Sequence, residues 1–170
     1  MQVVVVTGPV GAGKTRTVHA LCDLLLADGL RVWSVDQDAL RSVYPWPEGD
    51  RYGIRLGLDL LAACWTVVSG HQVDVVLIAD VVESPSDKQQ YAQALGCPLD
   101  QVRVVRLDVP RAELRRRLHQ RESPTTLEWH LTRADELQRL MEEQQVGDAV
   151  VRVGEQTPHQ VAAACWAALH

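Results

Sequence analysis

The chain has 170 residues, 46% apolar and 23% charged, with a formal net charge of −5, values that fit one folded domain with one sizeable core and exclude a fibrous repeat or a disordered polar chain. The acidic balance gives no help to nonspecific binding of a polyanion or an anionic membrane, so nucleic acid is not the default partner. The opening MQVVVVTG has no basic flank and no apolar run approaches about 18 residues, from which a soluble, cytoplasmic protein is expected. Cys22, Cys64, Cys97 and Cys165 are scattered without a CxxC pair and are expected to be reduced and packed.

The first predicted strand, VVVVT (3–7), runs into GPVGAGKT (8–15) and then into a helix over 14–28, where Val18, Leu21, Cys22 and Leu25 share a face and Gly29 stands at the C-terminal cap. A second strand (31–35) leads to SVDQDALR (34–41). The irregular stretch YPWPEGD (44–50) follows, broken by two prolines and a glycine. Next come a helix over 51–69 with Ile54, Leu58, Leu61, Cys64, Trp65 and Val68 on its apolar side, a third strand (73–79) ending at Asp80, and a helix over 86–95. A fourth strand (102–109), helices over 111–121 and 125–144, a fifth strand (149–153) and a helix over 158–169 complete the chain. Leu127, Leu131, Ala134, Leu137 and Leu140/Met141 form the stripe of the 125–144 helix. Apolar strands alternating with helices predict a parallel sheet covered on both faces, a three-layer α/β/α domain spanning 1–170.

GPVGAGKT matches G-x-x-x-x-G-K-[ST] between a strand and a helix, the setting that motif requires. Residues without side chains let successive backbone N–H groups converge on phosphate oxygens, and the helix N-terminus adds positive charge. Gly8, Pro9, Val10, Gly11, Ala12, Gly13, Lys14, Thr15 and Arg16 are therefore the expected nucleotide contacts, with Lys14 on the β/γ-phosphates and Thr15 on Mg²⁺. Gly11 is optional to the pattern.

The other chemistry falls at the carboxyl edge of the sheet, where open α/β sheets bind ligands. Asp36 and Asp38 follow the second strand with Arg41 a turn later; a carboxylate there can take the proton of an attacking hydroxyl, or Asp38 can simply cap a helix starting at Ala39. Asp80 ends an apolar strand as a Mg²⁺-holding acid does, and is expected at the metal or the substrate. Arg111, Arg115, Arg116, Arg117 and Arg121 crowd one helix before the break RESPTT; Arg117 and Arg121 are the candidates for a lid, around 111–126, that neutralises charge at the γ-phosphate. Tyr44, Trp46, Arg51, Tyr52 and Arg55 lie where an acceptor would sit.

These motifs resemble the nucleoside and small-molecule branch of the P-loop kinases. The nearest pattern is similar to the kinase domain of bacteriophage polynucleotide kinase, with chloramphenicol, gluconate and shikimate kinases as more distant likenesses. The resemblance rests on GPVGAGKT, VDQDALR, DVPRAELRRRLHQR and VRVGEQTPHQVA. It implies a five-stranded parallel sheet of order 2-3-1-4-5, Asp38 as general base, Arg41 as a substrate contact, Arg121 as a lid arginine, and Gly154 to Thr157 as part of an adenine pocket. Val81 and Val82 depart from the phage pattern, which has polar substrate contacts there.

The expected function is transfer of the γ-phosphoryl of ATP, with Mg²⁺, to a hydroxyl of a nucleoside, sugar or antibiotic, by a monomer or homodimer with no membrane partner. The alternatives are a polynucleotide 5′-hydroxyl kinase and a non-catalytic ATP-binding switch. No N/T-K-x-D segment is present to read guanine.

Overall fold

A computed structural model describes all residues, Met1–His170. In chain order its elements are β1 (Gln2–Thr7), α1 (Lys14–Ala27), β2 (Val32–Asp36), α2 (Gln37–Leu40), α3 (Ile54–Val68), β3 (Val75–Ala79), α4 (Lys88–Leu95), β4 (Val102–Asp108), α5 (Arg111–Arg121), α6 (Pro124–Glu143), β5 (Ala149–Arg152) and α7 (Pro158–Ala168). The strands form one sheet of order β2-β3-β1-β4-β5, every pair parallel.

β1 shows why the sheet is central. Its run of β-branched residues favours the extended chain, and because successive side chains alternate across the pleat, a strand apolar at every position must be covered on both faces. Val4 and Val6 join a core built against α1, α7 and Leu114 of α5, whereas Val3 and Val5 join a second core built against α3, α4 and α6. Leu21 and Leu25 of α1 have no exposed surface, and each contributes about 2 to 3 kcal/mol by burial. Polar substitution of Val5, closed in on both sides, would break the sheet at its centre. All four cysteines are free, and burial pushes the Cys165 thiol up to about 12, which makes it an inert core residue.

One expected element is corrected. The 51–69 helix opens as a 3₁₀ turn over Arg51–Gly53, because Tyr52 (φ 66°) and Gly53 (φ 64°) both take the left-handed backbone, and α3 proper starts at Ile54 with the N–H groups of Arg55 and Leu56 donating to the Asp50 carboxylate at 3.0 and 2.9 Å. Of its expected stripe, Leu61 is fully buried but Ile54 is exposed. The stretch Arg51–His71 is, by length and composition, long and apolar enough to cross a membrane, at mean hydropathy 1.3, contrary to the expectation of no such run; here it packs on α2 and α4. The small Gly57 lets α2 approach it, since a Cβ there would stand 2.9 Å from the buried Gln37 Oε1.

The register brings the strand ends together. Asp36 pairs with Ala79 and Val6 with Ala79, so Asp36, Thr7 and Asp80 leave the sheet at one level. The Val82 N–H donates to Thr7 Oγ1 at 2.9 Å and the Asp80 N–H to the Val6 carbonyl at 3.2 Å, folding the chain after β3 onto the end of β1.

Candidate active site

A cleft of about 1600 Å³ lies along this carboxyl edge. One end is backbone. Between β1 and α1 the chain turns through Gly11 (φ 85°) and Gly13 (φ 97°), and a Cβ at Gly11 would press to 3.2 Å from Leu118, so the backbone favours glycine at a position the motif leaves open. Gly13 starts α1 without any side-chain cap and with no acidic residue in the first turn, so the helix meets the cleft with bare N–H groups. Lys14 Nζ donates back to the carbonyls of Gly8 and Pro9 at 3.2 and 3.4 Å. Burial pulls its ammonium below the ordinary range, while the charges of Asp38, Asp80 and Asp36 push it up and that of Arg121 pushes it down.

Asp36 joins two elements. Its Oδ2 accepts from the Thr15 hydroxyl at 2.6 Å, and its Oδ1 accepts from the N–H groups of Asp38 and Ala39 at 2.9 and 3.2 Å. The cap of α2 is therefore Asp36, and Asp38 is left with an exposed carboxylate fastened by Arg41 Nη2 at 2.6 Å. The same Nη2 lies 3.1 Å from Asp80, a buried carboxylate that also accepts from the Tyr91 hydroxyl and the Val81 N–H, both at 2.7 Å. Burial pushes the Asp80 carboxyl above its ordinary range against the pull of Arg41 and Tyr91. For Arg41, burial works downward, but Asp80 and Asp38 hold the guanidinium above its ordinary value.

The five arginines of α5 divide. Arg111 and Arg115 clamp Asp135 of α6, at 2.5 and 3.3 Å, and Arg116 pairs with Glu113 at 2.7 Å. Arg117 bonds Glu113 at 2.7 Å through Nε and donates from Nη1 to the Ala12 carbonyl at 3.2 Å, which rests α5 on the glycine loop. Arg121 is paired with Glu122 at 2.5 Å.

The other end of the cleft is made of side chains. Trp46 meets Tyr52 edge to face at 5.3 Å, Tyr52 meets Trp129 at 6.3 Å, and Trp129 meets His130 at 4.8 Å. The guanidiniums of Arg51 and Arg133 lie over the Tyr52 ring at 4.7 and 4.9 Å, and Arg133 is salt-bridged to Glu83.

Of the sequence-predicted residues, Val10, Gly11, Ala12, Gly13, Lys14, Thr15, Arg16, Asp38, Arg41, Trp46, Tyr52, Arg117, Arg121 and Gly154 line the cleft, and so does Tyr44. Gly8, Pro9, Asp36, Arg51, Arg55, Asp80 and Thr157 do not. Gly8 and Pro9 hold Lys14, Asp36 holds Thr15, Asp80 holds Arg41, and Thr157 caps α7 in a reciprocal pair with Gln160. Asp80, expected at the metal or the substrate, is bound by Arg41 and Tyr91, and the carboxylate beside the Thr15 hydroxyl is that of Asp36. Sequence reasoning missed His19, Glu83, Trp129, His130 and Arg133, all of which line the cleft. A signal existed for three of them: on α6, Trp129, His130 and Arg133 fall off the apolar stripe yet share one face at spacings of three and four.

No family model and no curated protein matches the sequence. Among solved structures the chain is similar to a sugar kinase from Janibacter sp. (TM-score 0.64, 21% identity, 99% of this chain and 94% of that one), to the APS kinase of Mycobacterium tuberculosis (0.63, 17%, 99% and 96%) and to a gluconokinase from Sinorhizobium meliloti (0.58, 20%, 99% and 91%). The chain shares the fold of these proteins.

Proposed function

We propose that this protein is a kinase that moves the γ-phosphoryl group of ATP to a hydroxyl of a small molecule. The observation that carries the reading is the meeting, in one cleft, of a glycine-loop anion cradle with an exposed carboxylate, Asp38, held by Arg41. The fold neighbours named as sugar, gluconate and APS kinases support it.

Loop amides and Lys14 take the phosphates, Lys14 exchanging its carbonyl partners for phosphate oxygens. Asp38 accepts the proton as the acceptor oxygen bonds to the γ-phosphorus and the bond from that phosphorus to the β–γ bridging oxygen breaks, releasing ADP; the proton passes on to solvent. Arg117, already on the loop, and Arg121, whose charge reaches Lys14, neutralise charge on the transferring group. The donor set at Thr15 and Asp36 is oxygen only and sits at the loop's end, which fits Mg²⁺, so these two residues would hold it. Bound there, Mg²⁺ supplies charge neutralisation across the β- and γ-phosphates. Gly154 contributes to the adenine end. The chain works as one cytoplasmic kinase domain, as monomer or homodimer, with 111–126 as its lid.

The test is phosphoryl transfer from γ-labelled ATP to a panel of alcohols. Lys14→Ala is expected to remove at least a hundredfold of the rate with the circular dichroism spectrum unchanged; a fully active variant sinks the assignment of the loop.

A further inference from the structure

The chemistry of the acceptor end narrows the class of alcohol it would take, provided the cleft is that of a kinase as proposed. Its charges are already matched. Arg41 is held by Asp38 and Asp80, and Arg133 by Glu83 and, at 3.5 Å, by Glu136. Four carboxylates thus face two guanidiniums. Arg51 and Arg55 lie outside the cleft lining, Arg51 over the Tyr52 ring, while Lys14 and Arg16 line it at the phosphate loop and the first turn of α1. No guanidinium at this end is left to pair an acidic substrate, and an anion entering here would meet net negative charge.

The aromatic groups point to what does enter. Tyr52 is the centre of the cluster: its ring is flanked by two guanidiniums, its edges support Trp46 and Trp129, and its backbone is in the left-handed region, an uncommon state for a residue with a side chain. Strain of that kind persists where the surroundings enforce it and gathers at binding sites. The result is two fixed indoles inside the cleft, with 39% of Trp46 and 49% of Trp129 still exposed. Large apolar rings left open at an end whose lining guanidiniums are already paired are surfaces for another ring.

We infer that the acceptor is an uncharged alcohol carrying a planar aromatic ring, for which a nucleoside is the model compound. Trp46 and Trp129 stack on the ring, the neutral Glu83–Arg133 pair meets its hydrogen-bonding edge, and the hydroxyl is presented to Asp38. The phosphorylated product leaves with the charge this end cannot hold, which favours its release.

The experiment compares kcat/KM for transfer from labelled ATP to uncharged nucleosides, to the acidic alcohols gluconate and shikimate, and to glucose, an uncharged alcohol without a planar ring; binding of each is measured in parallel by calorimetry. Nucleosides are expected to lead both other groups by tenfold or more. Trp129→Leu is expected to raise the nucleoside KM roughly tenfold with a smaller change in kcat, Trp129→Tyr to recover most of the loss, and Trp46→Leu to repeat it. Faster transfer to gluconate, shikimate or glucose overturns the ring assignment and leaves the kinase reading standing. Nucleoside binding that Trp129→Leu weakens, without transfer to any alcohol, overturns the kinase reading and keeps the ring assignment; nucleoside binding that Trp129→Leu and Trp46→Leu leave unchanged overturns the ring assignment. Absence of both nucleoside binding and transfer overturns the two together.

Discussion

The two ends of the cleft are built by opposite means. The end proposed for the donor is eight consecutive residues, Gly8–Thr15, which would act through backbone N–H groups and three glycines with positive φ; the end proposed for the acceptor is assembled from side chains on the loop after α2, the chain after β3 and one face of α6. A backbone site depends on conformation, so its sequence is nearly fixed by geometry. A side-chain site depends on which residues the fold brings together, and many sequences can line it. The fold that presents the loop is shared with proteins named as sugar, gluconate and APS kinases.

Asp38 tests where the division falls, because it would take the acceptor's proton yet shares the cleft with the loop that would hold the donor. Asp38→Asn is expected to lower kcat by a hundredfold or more while ATP affinity stays within a fewfold, read by rapid quench and ATP titration; equal losses in both would make it only an anchor for Arg41. Gly11→Val attacks the donor end through conformation alone. A β-branched residue at φ 85°, pressed on Leu118, is expected to cost about 2 kcal/mol and to lower Tm by roughly 5 °C in calorimetry, with weaker ATP binding. A Tm unchanged by this substitution would show that the loop is not geometrically locked.

The smallest effect concerns the junction between loop and lid. Hydrogen bonds from Arg116 and Arg117 hold the Glu113 carboxyl at about 2, below its ordinary 4.5. A depressed folded value means the contribution is fully present above 4.5 and is lost as pH falls toward 2. The stability gap between wild type and Glu113→Gln is expected to be about 1 kcal/mol or less at neutral pH, since the arginines are partly solvated, and to close across that window in urea titrations. A gap independent of pH would place Glu113's role in packing.

Legibility in the sequence divides along the same line. The glycine loop and the alternation of strand and helix were readable, because periodicity and φ preference act within a few residues, whereas the strand order rested on the family resemblance alone. Asp36 and Asp80 were recognised as important, but their partners were not: that Thr15 would meet Asp36, and that Arg41 and Tyr91 would take Asp80, is decided by strand register and burial across the sheet. Trp129 and Arg133 were hidden because an amphipathic helix is read for the face it buries. Arg51 and Arg55 were expected in the cleft because a straight helix from residue 51 was assumed, and the left-handed turn at Tyr52–Gly53 rotates them out of it.

Helix α1 enters the cleft with its first N–H groups uncapped and no acidic residue to answer its positive end. If the proposed nucleotide binds there, its phosphate would complete that turn, and part of the protein's folding free energy would be held by its substrate. By mass action, ATP at a hundred times its dissociation constant adds about 2.7 kcal/mol to the folded state. Such a chain would resist proteolysis when ATP is plentiful and yield when it is scarce, so a limited-digestion half-life measured against ATP concentration should rise along the binding curve.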